Sequence, residues 1–128
     1  WSSDVCSSDL VRVGADVECK IGLNEVAIGM VLPAWALTIA EDRLSRRHLQ
    51  RVVVNAVVTG AADAIDSGFL DEVVAEDAVL ATAIERATEL AALNGRAYAG
   101  TVLALRGPVL DRMAAQITAD RESGASPI

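Results

Sequence analysis

One glutamate in this chain has neighbours that suit acid–base chemistry. Glu25 lies between Leu23 and Val26, with Ile28 close by, so most of the side chains near it in sequence are apolar. Loss of water around a carboxylate strengthens it as a base, and such a base can take a proton from carbon and return it. A solvated turn is nevertheless the ordinary place for a carboxylate. The residues alone therefore leave two interpretations of Glu25, a proton-transfer group and a surface charge.

The other reactive side chains give weaker signals. His48 has no acid or cysteine near it in sequence, and we interpret it as a solvated residue on a helix face. Three cationic neighbours could approach a phosphate, but a solvated face is the simpler interpretation; they are Arg46, Arg47 and Arg51. Cys6 and Cys19 form no CxxC pair and have no histidine at metal-ligand spacing, so the sequence predicts neither a metal site nor a disulfide.

The composition indicates a globular chain of one-domain length. Its 128 residues are 52% hydrophobic and 23% charged, and 18 acidic against 11 basic residues give a formal charge of −7. This charge disfavours nucleic acid or an anionic membrane surface as a partner. Gly29 and Pro33 interrupt the apolar run from Val26 to Ala40, so we predict no membrane span. The polar, acidic start lacks a secretory pattern, and we expect a cytoplasmic protein.

The first ten residues differ from the rest of the chain. Trp1 to Leu10 reads WSSDVCSSDL, repeats Ser-Ser-Asp, and has neither helical nor strand periodicity. Part of this string is what a common sequencing adapter spells when it is translated. We therefore predict that residues 1–10 are not native, and a native disordered N-terminus is the alternative. The domain is expected to occupy residues 11–121, followed by a flexible polar tail at 122–128.

The elements that must position these side chains follow from the spacing of apolar residues. Short extended runs between Val11 and Ile28 predict the end of a β-layer. From Pro33 onward the spacing becomes helical. A second helix is predicted to start at Ser45, whose hydroxyl can cap it, and a third is predicted to open at Asp63 and close at Gly68.

The second half of the chain continues this alternation. Phe69–Val74 is a predicted extended stretch, and a long helix capped by its first residue is predicted over Asp77–Leu93. Another helix is expected at about Ala97–Leu105, and a last one, opened by proline, at about Pro108–Arg121. The order is a strand remnant followed by five or six helices, which predicts an α/β fragment with an incomplete sheet.

Two separated motifs resemble those of one enzyme family. The segment Lys20-Ile21-Gly22-Leu23-Asn24-Glu25-Val26-Ala27-Ile28-Gly29-Met30 resembles the strand and turn in which the crotonase superfamily of enoyl-CoA hydratases and isomerases carries a glutamate four residues before a glycine. Further on, the segments Val58-Thr59-Gly60, Ala64 and Ser67-Gly68-Phe69-Leu70-Asp71-Glu72-Val73-Val74 resemble the family block L-T-G … A … G-L-V-D-x-V-V. The resemblance extends from about Val11 to Ala119 and implies the C-terminal part of a crotonase fold.

Within the superfamily, the turn after Glu25 is similar to that of Δ3,Δ2-enoyl-CoA isomerases of the mitochondrial type. Gly29-Met30-Val31-Leu32-Pro33-Ala34-Trp35 matches their G-I-I-A-P-F-W turn in length, in its proline and in its tryptophan. The I-P-G-x-G-G turn of typical hydratases is absent. The resemblance implies that Glu25 is the catalytic residue, and that the substrate is contacted by Asn24, Pro33, Ala34 and Trp35.

The implied reaction uses one carboxylate and two amides. The carboxylate removes a proton at C2 of a 3-enoyl-CoA and returns it at C4, while two backbone amides stabilise the charged thioester oxygen. The resemblance implies that both amides precede Val11. It implies the same for the second glutamate that hydratases use. We therefore expect the chain to be inactive alone, and a 2-enoyl-CoA hydratase remains an alternative. A non-catalytic helical interaction module is another.

The resemblance also bears on partners. It implies an acyl-CoA thioester as substrate, with no cofactor beyond the coenzyme A that the substrate carries, and no metal. Family members are commonly trimers or pairs of trimers, so the complete protein is expected to form a homotrimer or a hexamer.

Overall fold

A computed structural model of the chain describes residues 10–123. Strand β1 is Val13–Ala15 and strand β2 is Glu72–Val74, and short 3-10 turns lie at Val26–Ile28 and Glu76–Ala78. The α-helices of the described residues are α1 Ala34–Arg43, α2 Arg46–Val53, α3 Ala61–Ser67, α4 Val79–Ala91 and α5 Gly95–Ser123. The predicted α/β order, a strand remnant followed by mostly helices, is confirmed. Most of the predicted non-native segment and residues 124–128 of the predicted tail lie outside the described residues.

The two strands pair with each other in parallel, with Val13–Ala15 in register opposite Glu72–Val74. Parallel strands need a long crossover between them, and helices α1 to α3 occupy that crossover. Ile21 and Thr59 form a second, antiparallel bridge, in which each amide donates to the other carbonyl at 2.8 Å. The sequence predicts the extended stretches, but it does not predict that they pair.

A buried arginine locks β1 to the residues that lead into β2. The side chain of Arg12 is 5% exposed, and its Nε and Nη2 donate to the two carboxylate oxygens of Asp71 at 3.0 Å each. Its Nη1 donates to the carbonyl of Gly68 at 2.7 Å, and its backbone amide donates to Asp71 Oδ2 at 2.8 Å. Burial raises the pKa of Asp71. The hydrogen bonds and the charge of Arg12 lower it by more than burial raises it, so the pKa lies below its ordinary value. This bidentate pair fixes both distance and orientation.

The end of α3 is a junction that requires glycine. Gly68 has φ +89°, which side-chain-bearing residues rarely adopt. A Cβ at this position would also lie 2.8 Å from the carbonyl oxygen of Arg43 and 3.0 Å from the amide nitrogen of Ser45. The Ser45 amide donates to the carbonyl of Ser67 at 3.0 Å. The predicted helix end at Gly68 is therefore confirmed, and it brings the α1–α2 junction against α3.

The hydrophobic core lies around α1 and α2. Its buried residues are Leu32, Ala40, Leu44, Val52 and Val53. Partly buried side chains pack against it; these are Leu23, Ala36, Leu49 and Phe69. Leu23 precedes Glu25 by two residues, and Leu32 follows the turn after it. Both ends of the loop that carries Glu25 are thus anchored to the same core.

Helix α5 is continuous, and the prediction of two helices with a new start at Pro108 is wrong. A proline inside a helix removes one hydrogen bond and crowds the carbonyl four residues earlier, so it usually ends the helix. In this chain, contacts with α1 support the second half of α5. The buried hydroxyl of Thr38 donates to Gln116 Oε1 at 2.9 Å, and Arg112 lies 3.4 Å from a carboxylate oxygen of Glu41. These partners are too distant in sequence for a local pattern to reveal.

The predicted starts of α3 and α4 and the predicted cap of α2 differ from what is observed. Helix α3 begins at Ala61, two residues before Asp63. Ser45 does occupy the N-cap position of α2, but its side chain makes no capping hydrogen bond. Asp77 lies within the 3-10 turn before α4 and does not cap that helix.

Among residues 10–123, no helix combines the length and the apolar character that crossing a membrane requires.

Candidate active site

Glu25 lies where the chain enters the 3-10 turn Val26–Ile28. Its backbone is helical, with φ −54° and ψ −47°, and its carbonyl accepts hydrogen bonds from the amides of Ile28 at 3.1 Å and Met30 at 2.9 Å. Gly29 closes the turn with φ +80°, a conformation that glycine adopts without strain. Backbone hydrogen bonds therefore fix the position of Glu25 without using its carboxylate.

One oxygen of the Glu25 carboxylate is buried without a partner. This oxygen is Oε2, and the residue as a whole is half-buried. The adjacent side chains of Val26 and Ile28 are 50% and 61% exposed, so the turn presents apolar surface. A buried carboxylate oxygen without a partner gives up the hydrogen bonds that it makes in water, and such atoms call for an explanation. This geometry disfavours the interpretation of Glu25 as an ordinary surface charge.

The other predicted site residues lie on both sides of that turn. Asn24 is exposed, whereas Pro33 occupies the N-cap position of α1 and its carbonyl accepts hydrogen bonds from the first turn of that helix. Ala34 is exposed and Trp35 is half-buried. The start of α1 thus brings Pro33, Ala34 and Trp35 together, while the hydrogen bonds of residues 10–123 do not join them to Glu25. Their contact with substrate stays a prediction.

Trp35 lines a groove of about 260 Å³ against the end of α5. Its other lining residues are Ile117, Asp120 and Arg121. Sequence reasoning did not single out these three residues. Since they lie far from Trp35 in the chain, only the packing of α5 along α1 brings them to it.

His48 is not on a solvated face, and that prediction is wrong. Its side chain is 16% exposed, its Nδ1 is buried without a hydrogen-bond partner, and its Nε2 lies 3.9 Å from Asp66 Oδ2. The same carboxylate accepts a hydrogen bond from the exposed Arg47 at 3.0 Å. Asp66 belongs to α3, so the sequence around His48 gives no sign of this neighbour. Arg46 and Arg51 are exposed, as predicted.

A second strong ion pair holds α4 against β2. Arg86 donates from Nε and Nη2 to the carboxylate of Glu72, with a shortest distance of 2.7 Å, and from Nη1 to Glu89 at 2.9 Å. The hydrogen bond from Arg86 lowers the pKa of Glu72, and the same pairing raises the pKa of Arg86. Both carboxylates are satisfied, in contrast to Glu25, so we assign this pair a structural role.

The described residues hold no cluster that could bind a metal ion. Within residues 10–123, no group of three histidine, cysteine, aspartate or glutamate residues is placed to hold one. Cys19 is a half-buried free thiol, and Cys6 lies outside the described range.

Comparisons with known proteins identify relatives over most of the chain. The family model described as enoyl-CoA hydratase/isomerase matches residues 7–127. The mitochondrial enoyl-CoA delta isomerase 1 of Homo sapiens is 28% identical over 106 residues, which cover 83% of this chain and 35% of that protein. An enoyl-CoA hydratase/isomerase family protein from Pseudomonas syringae has a structure that matches with a TM-score of 0.88 at 34% identity, covering 94% of this chain and 52% of that one.

A further solved structure has similar values. The enoyl-CoA isomerase of Mycobacterium tuberculosis matches with a TM-score of 0.84 at 36% identity, over 91% of this chain and 51% of that one. The chain therefore spans about half the length of these solved relatives and 35% of the human protein.

Proposed function

Because the chain belongs to the enoyl-CoA hydratase/isomerase family and has the crotonase fold, we propose that Glu25 is the catalytic base of an enzyme that moves the double bond of a 3-enoyl-CoA to the 2-position. One observation carries the proposal, the buried Oε2 of Glu25 that has no hydrogen-bond partner. The relative from Homo sapiens is named as an isomerase, which supports this reaction. The relative from Mycobacterium tuberculosis is named as an isomerase in one solved structure and as a probable hydratase in another, so the proposal of isomerisation rests on the human relative and on the turn after Glu25. Membership of an enzyme family disfavours the alternative of a non-catalytic helical module.

The reaction needs one group that takes a proton from C2 and delivers it to C4. Removal of the C2 proton gives a dienolate, whose negative charge lies mainly on the thioester oxygen. Protonation of this dienolate at C4 leaves the double bond between C2 and C3, so atoms and charge balance. Since no protein donor occupies Oε2 of Glu25, its lone pairs are available for both transfers.

The surroundings of Glu25 suit this role. The backbone hydrogen bonds of the turn hold Glu25 in place whether or not its carboxylate carries a proton. We propose that bound substrate, together with the apolar side chains of the turn, excludes water from the carboxylate, and this favours proton exchange with carbon. We assign substrate contacts to Asn24, Pro33, Ala34 and Trp35, and no cofactor beyond the coenzyme A of the substrate.

The complete enzyme needs parts that these 128 residues do not supply. We propose that the backbone amides that stabilise the thioester oxygen lie outside them, and that the complete protein is a cytoplasmic homotrimer or hexamer acting in fatty acid metabolism. Large exposed apolar side chains support a covered surface, notably Leu80 at 73%, Leu103 at 66% and Leu105 at 75%. The 128-residue chain alone is expected to show no turnover.

A completed protein provides the test. We would join residues 11–123 to the half of the Pseudomonas syringae relative that this chain does not match, and follow the ultraviolet absorbance of the conjugated 2-enoyl thioester formed from a 3-enoyl-CoA. Loss of a general base typically lowers the rate roughly 100- to 10,000-fold, and we expect Glu25→Gln to do so. Glu18→Gln is the matched control, because Glu18 is an exposed carboxylate of the same segment.

Each outcome has a separate meaning. Undiminished turnover in Glu25→Gln would refute the catalytic role of that residue. If the completed protein hydrated a 2-enoyl-CoA and did not isomerise a 3-enoyl-CoA, the enzyme would be a hydratase and the isomerase proposal would be wrong. If the unaltered chimera were well folded and catalysed neither reaction, the helical interaction module would become the better hypothesis.

A further inference from the structure

The motif Val58-Thr59-Gly60 contacts the segment that leads to Glu25. Ile21 and Thr59 exchange two backbone hydrogen bonds at 2.8 Å each, and this bridge lies outside strands β1 and β2. The proposed reaction assigns no role to this motif. Its contact with the chain four residues before Glu25 offers one.

Gly22 lies so close to this motif that a larger residue does not fit without movement. A Cβ at position 22 would lie 3.2 Å from Cα of Val58, 3.2 Å from its Cγ1 and 3.3 Å from the carbonyl oxygen of Val57. Ordinary contacts of a Cβ are 3.4–4 Å long, and two of these three atoms belong to the backbone, which cannot rotate away. The φ of Gly22 is not positive. The contact therefore requires the absence of a side chain, and not a special backbone conformation.

The segment Val57–Thr59 is held from both sides. Before it, Ala56 has φ +50°, which is uncommon for a residue other than glycine. The amide of Val57 donates to the carbonyl of Arg51 in α2 at 3.2 Å. After it, the carbonyl of Gly60 accepts a hydrogen bond at 3.1 Å from Ala64, a buried residue of α3. Helices α2 and α3 thus fix the segment, so a larger residue opposite it has to move its own side of the contact.

The loop that carries Glu25 has less backbone support. The backbone hydrogen bonds of residues 22–32 to described residues all lie inside the turn. Side-chain packing of Leu23 and Leu32 anchors the loop to the core, and the bridge at Ile21 supplies the nearest backbone link on its N-terminal side. A displacement next to this link is therefore passed on to Glu25.

We infer that the Val57–Thr59 segment positions Glu25, and that Gly22 is the positioning residue that sets their separation. The inference rests on the proposed function, because it concerns the distance between the Glu25 carboxylate and the carbon atoms of a bound acyl-CoA. The segment and Gly22 act through Glu25 and do not touch substrate in this role. They should therefore affect the rate of proton transfer and leave substrate affinity unchanged.

Gly22→Ala should lower kcat and leave KM nearly unchanged. The new Cβ must move away from Val58 by a few tenths of an ångström to reach ordinary contact. Because a misplacement of about 1 Å can cost roughly 100-fold in rate, this shift should lower kcat roughly three- to tenfold. The rate would be measured in the completed protein described above, per mole of enzyme that circular dichroism shows to be folded.

A double variant tests whether contact with Val58 causes the loss. Val58→Ala removes Cγ1, which is one of the three atoms that the new Cβ would meet. Combined with Gly22→Ala, it should restore part of the lost kcat, because the two changes involve atoms in direct contact. Gly60→Ala is the matched control, because a Cβ at that position meets no atom within 4 Å and should leave kcat unchanged. If Gly22→Ala alone did not fold, the double variant would be compared with Val58→Ala, because the two backbone contacts remain.

Nuclear magnetic resonance of the isotope-labelled 128-residue chain measures the positioning without catalysis. The amides of Ile28 and Met30 donate to the carbonyl of Glu25, so their signals report on the turn that carries it. Gly22→Ala should shift both signals, and adding Val58→Ala should bring them part of the way back. The control Gly60→Ala should leave both signals in place.

The outcomes separate this inference from the proposed function. If Glu25→Gln lost its turnover but Gly22→Ala kept its full kcat, the positioning role would be wrong and catalysis by Glu25 would stand. Unshifted signals of Ile28 and Met30 in Gly22→Ala would also overturn the inference. If Glu25→Gln kept its turnover, the proposed function would fail, while shifted signals that partly recover with Val58→Ala would still support the positioning of this turn.

Discussion

Asp71→Asn tests whether the ion pair between Asp71 and the buried Arg12 stabilises this fold. Asp71 accepts hydrogen bonds from Nε and Nη2 of Arg12 at 3.0 Å each and from its backbone amide at 2.8 Å. Asparagine keeps one acceptor oxygen and presents an amide N–H₂ group to the guanidinium, so at least one charge-assisted hydrogen bond and the counter-charge are lost. Loss of one such hydrogen bond costs about 1.5–3 kcal/mol, and breaking a fully buried pair costs about 3–5 kcal/mol.

The exposure of the two side chains sets the expected value between these limits. Arg12 is 5% exposed but Asp71 is 41% exposed, so water compensates part of the loss. We expect Asp71→Asn to lower the free energy of unfolding by about 2–3 kcal/mol, or the melting temperature by about 10 °C in a domain of this size. Urea unfolding followed by circular dichroism measures this difference. Asp66→Asn removes the charge that pairs with the exposed Arg47 and lies 3.9 Å from Nε2 of His48, and it should cost less than about 1 kcal/mol because Asp66 is 73% exposed. Equal losses in the two variants would refute the reasoning.

Three further changes test the frame of the molecule. Gly68→Ala should lower the free energy of unfolding by at least about 1–2 kcal/mol, because residue 68 has a positive φ. Gly100→Ala is the control: a Cβ there meets no neighbouring atom, and the change should raise the free energy of unfolding by about 0.5–1 kcal/mol. Equal effects of the two changes in chemical denaturation would contradict the requirement for glycine at position 68. Pro108→Ala restores a helical hydrogen bond and should raise the melting temperature, and a lower one would show that the proline is required by its surroundings. Pairing lowers the pKa values of Asp71 and Glu72, so their contribution to stability is complete above the ordinary carboxyl pKa values and is lost as the pH falls through the lowered folded-state values. The free energy of unfolding, measured as the pH is lowered, should therefore fall steeply below about pH 4, and it should fall less steeply in Asp71→Asn. If the two proteins lost stability equally below about pH 4, the stabilising role of the Asp71 carboxylate would be refuted.

Local signals predicted the parts of the fold that depend on neighbouring residues. The helix end at Gly68 needs a residue that tolerates positive φ, and the helix after Pro33 needs a preset backbone at its start. Both features belong to single positions, and both are confirmed. The pairing of β1 with β2 could not be predicted in the same way, because parallel strands meet only after a long crossover.

Two of the wrong predictions, at Pro108 and at His48, share one physical cause. Pro108 was expected to start a helix because proline normally interrupts one, but the side chains of α1 support the helix on the far side of it. His48 was expected in solvent because no acid lies near it in sequence, yet Asp66 of α3 faces it. Each error arose where a partner distant in sequence determines the environment. The groove beside Trp35 could not be predicted from the sequence for the same reason, because its other wall is the end of α5, which is distant in the chain.

The hydrogen bonds of the carboxylates distinguish those that stabilise the fold of this chain from the one that we assign to catalysis. Asp71 and Glu72 each bind an arginine through both carboxylate oxygens, as expected of charges that hold elements together. Glu25 leaves one buried oxygen without a partner. Nδ1 of His48 is also buried without a partner. Both residues lie on backbone that hydrogen bonds hold in place. Glu25 differs in that the side chains beside it in its turn, Val26 and Ile28, present exposed apolar surface. A carboxylate held in a constant position beside such a surface suits proton transfer to and from a bound substrate.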